Sequence, residues 1–400
     1  MKDIEIIFPR NFDLKQFIQM EAEEPFSMNA ISFLDALATI LRNDLRSIHF
    51  PEIYTFAFFC RKANLAMLKR TYYPCDRSRL GRGIAFHITP SNMAMNFAYS
   101  LVSGLLSGNL NIVRLPSQKF QQINVICNAI QTLSEKQEFK LFTRRILLVK
   151  YPKLNSATSY FSSICDARII WGGDKAVEEI KRNIIPPKAI DITFADKYSL
   201  CVINADVLIK ENSPKNIAQL FYNDTFLFDQ NACTSPHLVV WVGSEENISS
   251  YKKIFWDNLH HLVIEKYVLQ PYSTIDKLLT FYNQLIHLNG IIKTTTPDNL
   301  IWRVELTELT EDVTKYRCNC GYFVEYTASS ITDLLPMISK KYQTIGSYGI
   351  AKEEWDQISL QKNLIVSERI KPLGKTSEFS FNWDGHNLIN ELSVPLQLDN

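Results

Sequence analysis

The pattern of apolar and polar positions changes character near residue 80. Before it, residues 26–42 have apolar side chains at spacings of three and four, which predicts an amphipathic helix within a helical and mixed segment. After it, short apolar runs alternate with longer stretches of helical spacing. Short strands alternating with helices are typical of parallel sheets, because crossover helices cover both faces. The pattern therefore predicts an α/β fold with a doubly wound parallel sheet.

The first half of this region contains four predicted strands, each followed by a helix. The strands are residues 84–88, 111–114, 145–149 and 167–171, and the helices are residues 93–107, 118–134, 156–164 and 175–183. Ligands of such sheets bind at the carboxyl ends of the strands. The loops that begin at Thr89, Arg114 and Gly172 are therefore candidate binding loops.

The second half, from about residue 206, repeats the same kind of pattern. Residues 237–242 form a predicted strand, and residues 246–264 and 273–288 form predicted helices. No linker rich in Pro, Gly or Ser separates the two halves. We therefore expect two interwoven domains, the second with its own sheet.

Composition and charge remove several classes of function. A chain of 400 residues is long enough for two domains, and its 43 Lys and Arg against 42 Asp and Glu leave no basic excess for nucleic acid or a membrane surface. No apolar run reaches the ~20 residues of a membrane span, and the first ten residues lack a signal-peptide pattern. The eight dispersed cysteines are typical of reduced thiols, so we expect a cytoplasmic protein.

Two loops have the chemistry of a phosphate site, although the 13 glycines include no G-x-G-x-x-G, Walker A or G-x-S-x-G motif. Gly172 and Gly173 precede a predicted helix, whose N-terminal N–H groups would suit a pyrophosphate. Arg114, Ser117 and Lys119 bring a guanidinium, a hydroxyl and an ammonium into one loop. An ordinary turn and an ordinary helix cap remain the alternative interpretations.

Cys233 lies in the most distinctive local sequence, DQNACTSP at residues 229–236. A cysteine among small and amide residues before an apolar strand is placed to react as a thiolate; a buried, unreactive thiol is the alternative. Cys318 and Cys320 have no second pair and no nearby histidine, so no metal site is expected. His87, at the carboxyl end of a strand, could approach a bound ligand, but a histidine at such a position is more often a hydrogen-bonded core or rim residue.

Three segments together resemble the LuxC family of acyl-CoA reductases, which belongs to the aldehyde dehydrogenase superfamily. They are GIAFHITPSN (83–92), LLSGNLNIVRLPS (105–117) and QNACTSP (230–236), and the tail segments RIKPLG (369–374) and WDG (383–385) extend the likeness. The resemblance implies an aldehyde dehydrogenase-like fold. Its cofactor domain would cover residues 1–205, its catalytic domain residues 206–355, and a C-terminal return to the cofactor domain residues 356–400, with the active site between the domains.

The resemblance also implies roles for individual residues. Cys233 matches the superfamily nucleophile, and Asn92 matches the amide that shares the oxyanion hole with the Cys233 backbone N–H. Gly172 and Gly173 match the turn beside the cofactor pyrophosphate. The remaining cofactor contacts are Thr89, Arg114 at the position of a ribose-binding Lys, Ser117, and Lys119. Ser117 stands where NAD-preferring relatives carry Glu, so NADPH is favoured over NADH.

Two departures from the superfamily pattern affect the chemistry. Thr193 stands where hydrolytic members carry a catalytic Glu, so water attack on an acyl-enzyme should be slow. Residues 316–321 replace the Glu-Ile-Phe-Gly-Pro segment whose Glu contacts the nicotinamide ribose, and no acid is in register. The first departure favours release of an aldehyde over release of a free acid, and the second leaves the nicotinamide-ribose contact without an assigned residue.

The expected function is NADPH-dependent reduction of an acyl thioester, fatty acyl-CoA above all, through an acyl group on Cys233. One alternative is a hydrolytic NAD(P)-dependent aldehyde dehydrogenase. Another is an acyl-accepting subunit with little activity of its own, working with an acyl-activating synthetase. The resemblance also implies a homo-oligomer, whereas the acyl chain length is not encoded in any pattern we recognise.

Overall fold

A computed structural model describes residues 4–74, 78–153, 156–211, 213–294, 296–336, 338–339, 341–362 and 369–396. The strands are β1 (Glu5–Phe8), β2 (Arg79–Gly81), β3 (Ile84–Ile88), β4 (Leu110–Arg114), β5 (Ile146–Lys150), β6 (Ala167–Trp171), β7 (Ile190–Phe194), β8 (Tyr198–Asn204), β9 (Leu238–Val242), β10 (Ile291–Thr294), β11 (Trp302–Leu306), β12 (Tyr322–Ala328), β13 (Tyr342–Tyr348), β14 (Arg369–Pro372), β15 (Asn382–Trp383), β16 (His386–Asn387) and β17 (Ser393–Pro395). The helices are α1 (Leu14–Ile18), α2 (Met28–Asn43), α3 (Pro51–Phe59), α4 (Lys62–Tyr72), α5 (Asn96–Leu106), α6 (Gln121–Ser134), α7 (Ala157–Ile164), α8 (Asp174–Lys181), α9 (Ala205–Glu211), α10 (Pro214–Thr225), α11 (Glu245–Lys266), α12 (Pro271–His287), α13 (Lys352–Lys362) and α14 (Leu388–Glu391).

The chain divides into two compact units, Met1–Ala195 with Phe379–Asn400, and Asp196–Glu378. The family resemblance predicts the domain boundaries near residues 205 and 355. Strand pairing explains the difference: β8 hydrogen-bonds to β9 and β13, and β14 hydrogen-bonds to β13, so both strands are part of the second sheet. The tail after residue 378 returns to the first unit, where β17 pairs with β2.

The first unit is built on a six-stranded sheet in the order β1-β5-β4-β3-β6-β7. The strands from β3 to β7 are parallel, and β1 adds an antiparallel edge. All five residues of β3 are buried, as expected for a central strand covered on both faces. Chain order runs outward from β3 to β5 and then reverses to β6 and β7, which creates a topological switch point between β3 and β6.

The second unit has a seven-stranded sheet in the order β10-β11-β12-β9-β8-β13-β14, parallel except for the β10–β11 pair. Alternate residues of β8 enter different cores. Leu200 and Val202 pack on one face with Trp355 of α13, whereas Cys201 and Ile203 pack on the other with side chains of α10 and α11 such as Phe221 and Phe255. Because both faces of the strand are buried, residues 200–203 of β8 form a continuous apolar run.

The observed elements follow the predicted ones closely in the β3 to α8 region. β3 and β6 occupy the predicted residues, and the ends of the other elements differ by a few residues. The predicted class, α/β with parallel sheets and a second α/β unit, is confirmed. The antiparallel edge strand β1 was not predicted, since four residues at a sheet edge leave only a short pattern.

Candidate active site

A cavity of about 740 Å³ opens at the carboxyl ends of β3, β4 and β6 in the first unit. It lies at the switch point of the sheet, where the connections that leave neighbouring strands run in opposite directions and a crevice forms between them. Six residues singled out from the sequence line it: Thr89, Asn92, Arg114, Ser117, Gly172 and Gly173. Lys119 is exposed and is not among the residues that line the cavity.

Arg114, the last residue of β4, is held by Tyr151. Its guanidinium lies over the Tyr151 ring at 4.8 Å and donates from Nη2 to the Tyr151 carbonyl oxygen at 3.3 Å. The buried Nε of Arg114 has no hydrogen-bond partner among the described residues. Thr89 donates to the Arg114 carbonyl oxygen at 2.7 Å, which joins the loops after β3 and β4. Arg114 is thus held at the wall of the cavity by Tyr151 and Thr89.

The opposite wall of the cavity is the start of α8. Gly173 is the N-cap residue, and a side chain at Gly173 would meet no atom within 4 Å, so the backbone is open to the cavity. Arg168 of β6 reaches the C-terminal end of α8, where it donates to the Asn183 carbonyl oxygen. It also binds the Asp191 carboxylate of β7 through two hydrogen bonds of 2.7 and 2.9 Å. This pair, with Arg168 buried and Asp191 half-buried, ties the cavity wall to β6 and β7.

A buried polar cluster is formed by side chains of β3, β4 and α5. His87 is fully buried, with Nδ1 at 2.7 Å from the Ser100 hydroxyl and Nε2 at 3.0 Å from the Asn111 side-chain oxygen. Burial lowers its pKa to about 4, so the ring is neutral near pH 7. A side chain at Gly104 would lie 1.8 Å from the same Asn111 oxygen, so only glycine fits there. His87 is therefore a hydrogen-bonded core residue, the more common interpretation of its sequence position.

The described cysteines fall into two groups. Cys60, Cys127, Cys165 and Cys201 are buried, and burial raises the pKa of each, to about 12 for Cys127 and Cys165. Cys233, Cys318 and Cys320 are half-buried. Cys75 lies outside the described residues. Among the described thiols, reaction with a ligand is therefore restricted to the three in the second unit.

The Cys233 loop begins with two residues in the left-handed region, Asp229 at φ 51° and Gln230 at φ 59°. Such consecutive non-glycine residues require support from the surroundings. The Tyr267 hydroxyl donates to Asp229 at 2.7 Å. At Cys233 itself, the buried Ser199 hydroxyl of β8 donates to the carbonyl oxygen at 2.6 Å. The nucleophile candidate is thus fixed through its backbone by a strand 34 residues earlier.

Gln230 carries most of the support. Its side chain is 1% exposed and forms four hydrogen bonds: Nε2 donates to the carbonyl oxygens of Pro236 and Tyr322, and Oε1 accepts from the N–H groups of Gly321 and Tyr322. One amide therefore closes both ends of the Cys233 loop onto the start of β12. The sequence marked Gln230 as part of a motif, but its role depends on residues 92 positions away.

The segment before β12 is bound to the same loop. Asn319 donates to the Asn231 side-chain oxygen at 2.6 Å, and Cys320 donates from its N–H to the Asp229 carbonyl oxygen at 3.0 Å. Arg317 pairs with Asp196; although burial favours the neutral acid, Arg317 and Lys341 outweigh it and lower the Asp196 pKa. Residues 317–320, Asn231 and α12 line a second cavity of about 510 Å³.

The structure adds cavity residues that the sequence did not indicate. In the first cavity they are Lys153, Ser156, Thr158, Glu179, Arg182 and Asn183. They come from the β5–α7 connection and from α7 and α8 and the residues next to them, and no short motif unites them. Thr193, at the position of the absent base, is half-buried on β7. Across the described residues, no cluster of three or more His, Cys, Asp or Glu could hold a metal ion.

None of the described helices combines the length and the apolar character that a bilayer span requires.

Comparison with solved structures supports the same fold. The chain superposes on an NAD-dependent benzaldehyde dehydrogenase of Corynebacterium glutamicum with a TM-score of 0.65 at 11% identity, covering 95% of this chain and 86% of that one. Proline utilization A of Bradyrhizobium japonicum gives a TM-score of 0.65 at 14% identity, covering 96% of this chain and 43% of that one. These likenesses confirm an aldehyde dehydrogenase-like fold.

Comparison of sequences identifies the family. A relative from Vibrio harveyi, a long-chain acyl-protein thioester reductase, is 22% identical over 272 residues, which cover 67% of this chain and 54% of the relative. The match thus spans about half of that protein's length. The family model for acyl-CoA reductase (LuxC) matches residues 9–394, nearly the whole chain. The chain therefore belongs to the LuxC family of acyl-CoA reductases.

Proposed function

We propose that the protein reduces an acyl thioester to the aldehyde through an acyl group carried on Cys233. The observation that carries the proposal is the family match over residues 9–394, which includes the Cys233 loop, the three loops of the first cavity and the tail. The half-buried thiol in a firmly held loop is consistent with it. The thiol is partly accessible to a substrate, and the backbone that carries it is held by Ser199.

In the proposed reaction, the Cys233 thiolate attacks the carbonyl carbon of the thioester. The carbon–sulfur bond to the donor breaks, the donor thiolate leaves and takes a proton, and the acyl group stays on Cys233. A reduced nicotinamide supplies a hydride to that carbonyl when it is bound. The Cys233 thiohemiacetal then releases the aldehyde and regenerates the thiolate. The residue proposed to donate to the oxyanion in both steps is Asn92, by its match to the family motif.

The first cavity is the proposed cofactor site. It has the volume for part of a dinucleotide, and the Arg114 guanidinium in its lining and the open backbone at Gly173 are groups that phosphate and ribose oxygens would use. Thr89, Arg114, Ser117, Gly172 and Gly173 would hold the cofactor. Because Ser117 carries no negative charge and Arg114 lies beside it in the cavity, NADPH is proposed in preference to NADH. Lys119 is proposed to contribute charge from outside the cavity wall.

Thr193 separates this proposal from an aldehyde dehydrogenase that hydrolyses its acyl-enzyme. Threonine cannot accept a proton from water near pH 7 as a carboxylate does. The acyl group on Cys233 is therefore expected to persist until hydride transfer. A free acid as the main product would favour the hydrolytic alternative.

The donor of the acyl group is proposed to be coenzyme A or a thioester on a partner protein. The name of the Vibrio relative supports the protein thioester, and the name of the family supports coenzyme A. Because the name of the same relative specifies a long-chain acyl group, a fatty acyl chain is proposed as the group that is reduced. An acyl-activating synthetase would then be the partner that supplies the thioester.

The test is thioester-dependent oxidation of NADPH, measured with acyl-CoA substrates of increasing chain length. The wild-type protein is expected to consume one NADPH per aldehyde formed, and Cys233→Ala to lose at least a thousandfold in kcat. Cys318→Ala is the matched control, since Cys318 is also half-buried in the second unit. Full activity of Cys233→Ala would contradict the mechanism.

A further inference from the structure

Helix α12 has its polar and apolar faces reversed relative to an ordinary surface helix. Its inward side carries the fully buried polar residues Lys277 and Gln284. Lys277 donates to the Asn299 and Leu300 carbonyl oxygens at 2.6 and 3.2 Å, and Gln284 bonds to Tyr316 and Tyr322 at 2.6 Å. The helix is therefore attached to the second unit largely by hydrogen bonds.

The outward side of α12 is apolar. Its side chains are 41–73% exposed and form what we call the α12 stripe: Tyr272, Ile275, Leu278, Leu279, Tyr282, Leu285 and Ile286. They recur at spacings of three and four, the pattern of a helix that packs against another helix. No charged residue interrupts the stripe, because Lys277 points inward and Asp276 lies at its edge. An exposed apolar face of this size marks an interaction surface.

The order of residues in the stripe indicates what covers it. If a second α12 helix runs antiparallel, with the two-fold axis between positions 278 and 279, six of the seven stripe residues meet another stripe residue, and Ile286 meets the apolar Pro271 at the start of the helix. Tyr272 then faces Leu285, Ile275 faces Tyr282, and Leu278 faces Leu279. Both ends of the contact pair an aromatic ring with an aliphatic side chain, and no like charges meet. This self-matching is what an isologous dimer requires, since each residue pair occurs twice.

The area is also sufficient for a stable dimer. At about 200 Å² for each large side chain, the exposed fractions give roughly 800 Å² on one helix face. A standard protein interface buries about the same area per partner. We propose that the α12 stripe is a two-fold interface at which α12 packs antiparallel against α12 of a second copy of this chain. This inference does not depend on the proposed enzymatic function.

The first experiment is sedimentation velocity of the full chain at micromolar concentration. The wild type is expected to sediment as a dimer or a multiple of it, and Leu279→Glu, which places two carboxylates at the axis, to lose that contact and halve the mass. Leu141→Glu, at a 70% exposed leucine in the first unit, is the control and should behave as the wild type. A monomeric wild type, or an unchanged mass in Leu279→Glu with a native circular dichroism spectrum, would overturn the proposal.

The second experiment tests the register and does not rely on dissociation. Leu278→Cys lies at the axis and should cross-link to itself through a short bis-maleimide, identified by the linked peptides. Tyr272→Cys should not cross-link to itself, but should do so to Leu285→Cys when the two variants are mixed. Efficient cross-linking of the Tyr272→Cys variant to itself would indicate a parallel arrangement of the two helices and overturn the proposal. The proposal would also be overturned if the Leu278→Cys variant formed a dimer but did not cross-link to itself. It would be overturned too if the α12 stripe bound only a different protein.

Discussion

The cavity of the first unit and the Cys233 loop of the second unit are built in different ways. The cavity of the first unit is formed by loops that follow β3, β4 and β6, so the topology of the sheet brings it together. The Cys233 loop of the second unit is fixed by individual side chains, Ser199 and Gln230 above all, that reach across the unit. Substitutions in the cavity, apart from Asn92, are therefore expected to alter cofactor affinity, whereas substitutions around the Cys233 loop are expected to alter the chemical step.

Asn92 is the residue that tests this division most severely, because it lines the cavity but is proposed to act on the acyl group. Asn92→Ala is expected to lower kcat about a hundred- to a thousandfold, as removal of one oxyanion donor does. The KM for NADPH should change little. Ser91→Ala, the neighbouring cavity residue, is the control and should keep kcat within about threefold. A raised NADPH KM with normal kcat would place Asn92 with the cofactor instead.

Ser199 tests the loop through a residue that touches neither substrate nor cofactor in the proposal. Ser199→Ala removes the 2.6 Å bond to the Cys233 carbonyl oxygen and is expected to lower kcat about tenfold, because the thiolate loses its fixed direction. Ser103→Ala is matched in burial and also loses a bond to a carbonyl oxygen, that of Tyr99. Both variants should lose about 1 kcal/mol of stability. Equal kcat in the two would show that the bond is structural alone.

Ser117 tests the cavity. Ser117→Glu places a carboxylate where the 2′-phosphate of NADPH is proposed to bind, so repulsion should lower kcat/KM for NADPH about tenfold relative to NADH. Ser117→Gln, of similar size and no charge, is the control for steric effects. Steady-state rates with both cofactors give the ratio. An unchanged preference in Ser117→Glu would remove Ser117 from the cofactor site.

Each unit also contains a buried neutral histidine near its candidate site, and these give the smallest expected effect. Burial lowers the pKa of His87 to about 4 and that of His237 to about 3, from an ordinary value of 6.5. The unfolded chain binds a proton at pH values where the folded chain does not, so stability is present above pH 6.5 and is lost as the pH falls toward 4. For His87 the loss between pH 7 and pH 5 is about 2 kcal/mol.

Urea unfolding at both pH values measures this loss. His87→Gln should reduce the difference between the two pH values, and His49→Gln, at an exposed histidine, should not. The same pH dependence in wild type and His87→Gln would mean that the His87 ring is protonated in the folded protein.

The sequence was sufficient for the parts of the molecule that depend on local pattern. The apolar strand Ile84–Ile88 and the glycine pair after β6 predicted both the sheet and the cavity at its carboxyl edge, because the topology rule acts on neighbouring strands. The parts it missed depend on distant contacts. The bonds of Gln230 to Tyr322 and of Ser199 to Cys233 join residues far apart in the chain, and α12 has its apolar face outward, which spacing alone cannot reveal.

The central claim is that an acyl group rests on Cys233 and leaves as an aldehyde. It is tested by incubating the protein with a radiolabelled acyl-CoA in the absence of NADPH, then digesting one half for peptide mass spectrometry and adding NADPH to the other. The predicted result is one acyl group per chain on the peptide that contains Cys233, discharged by NADPH as aldehyde. An acyl group on another residue, or discharge as free acid, would contradict the account.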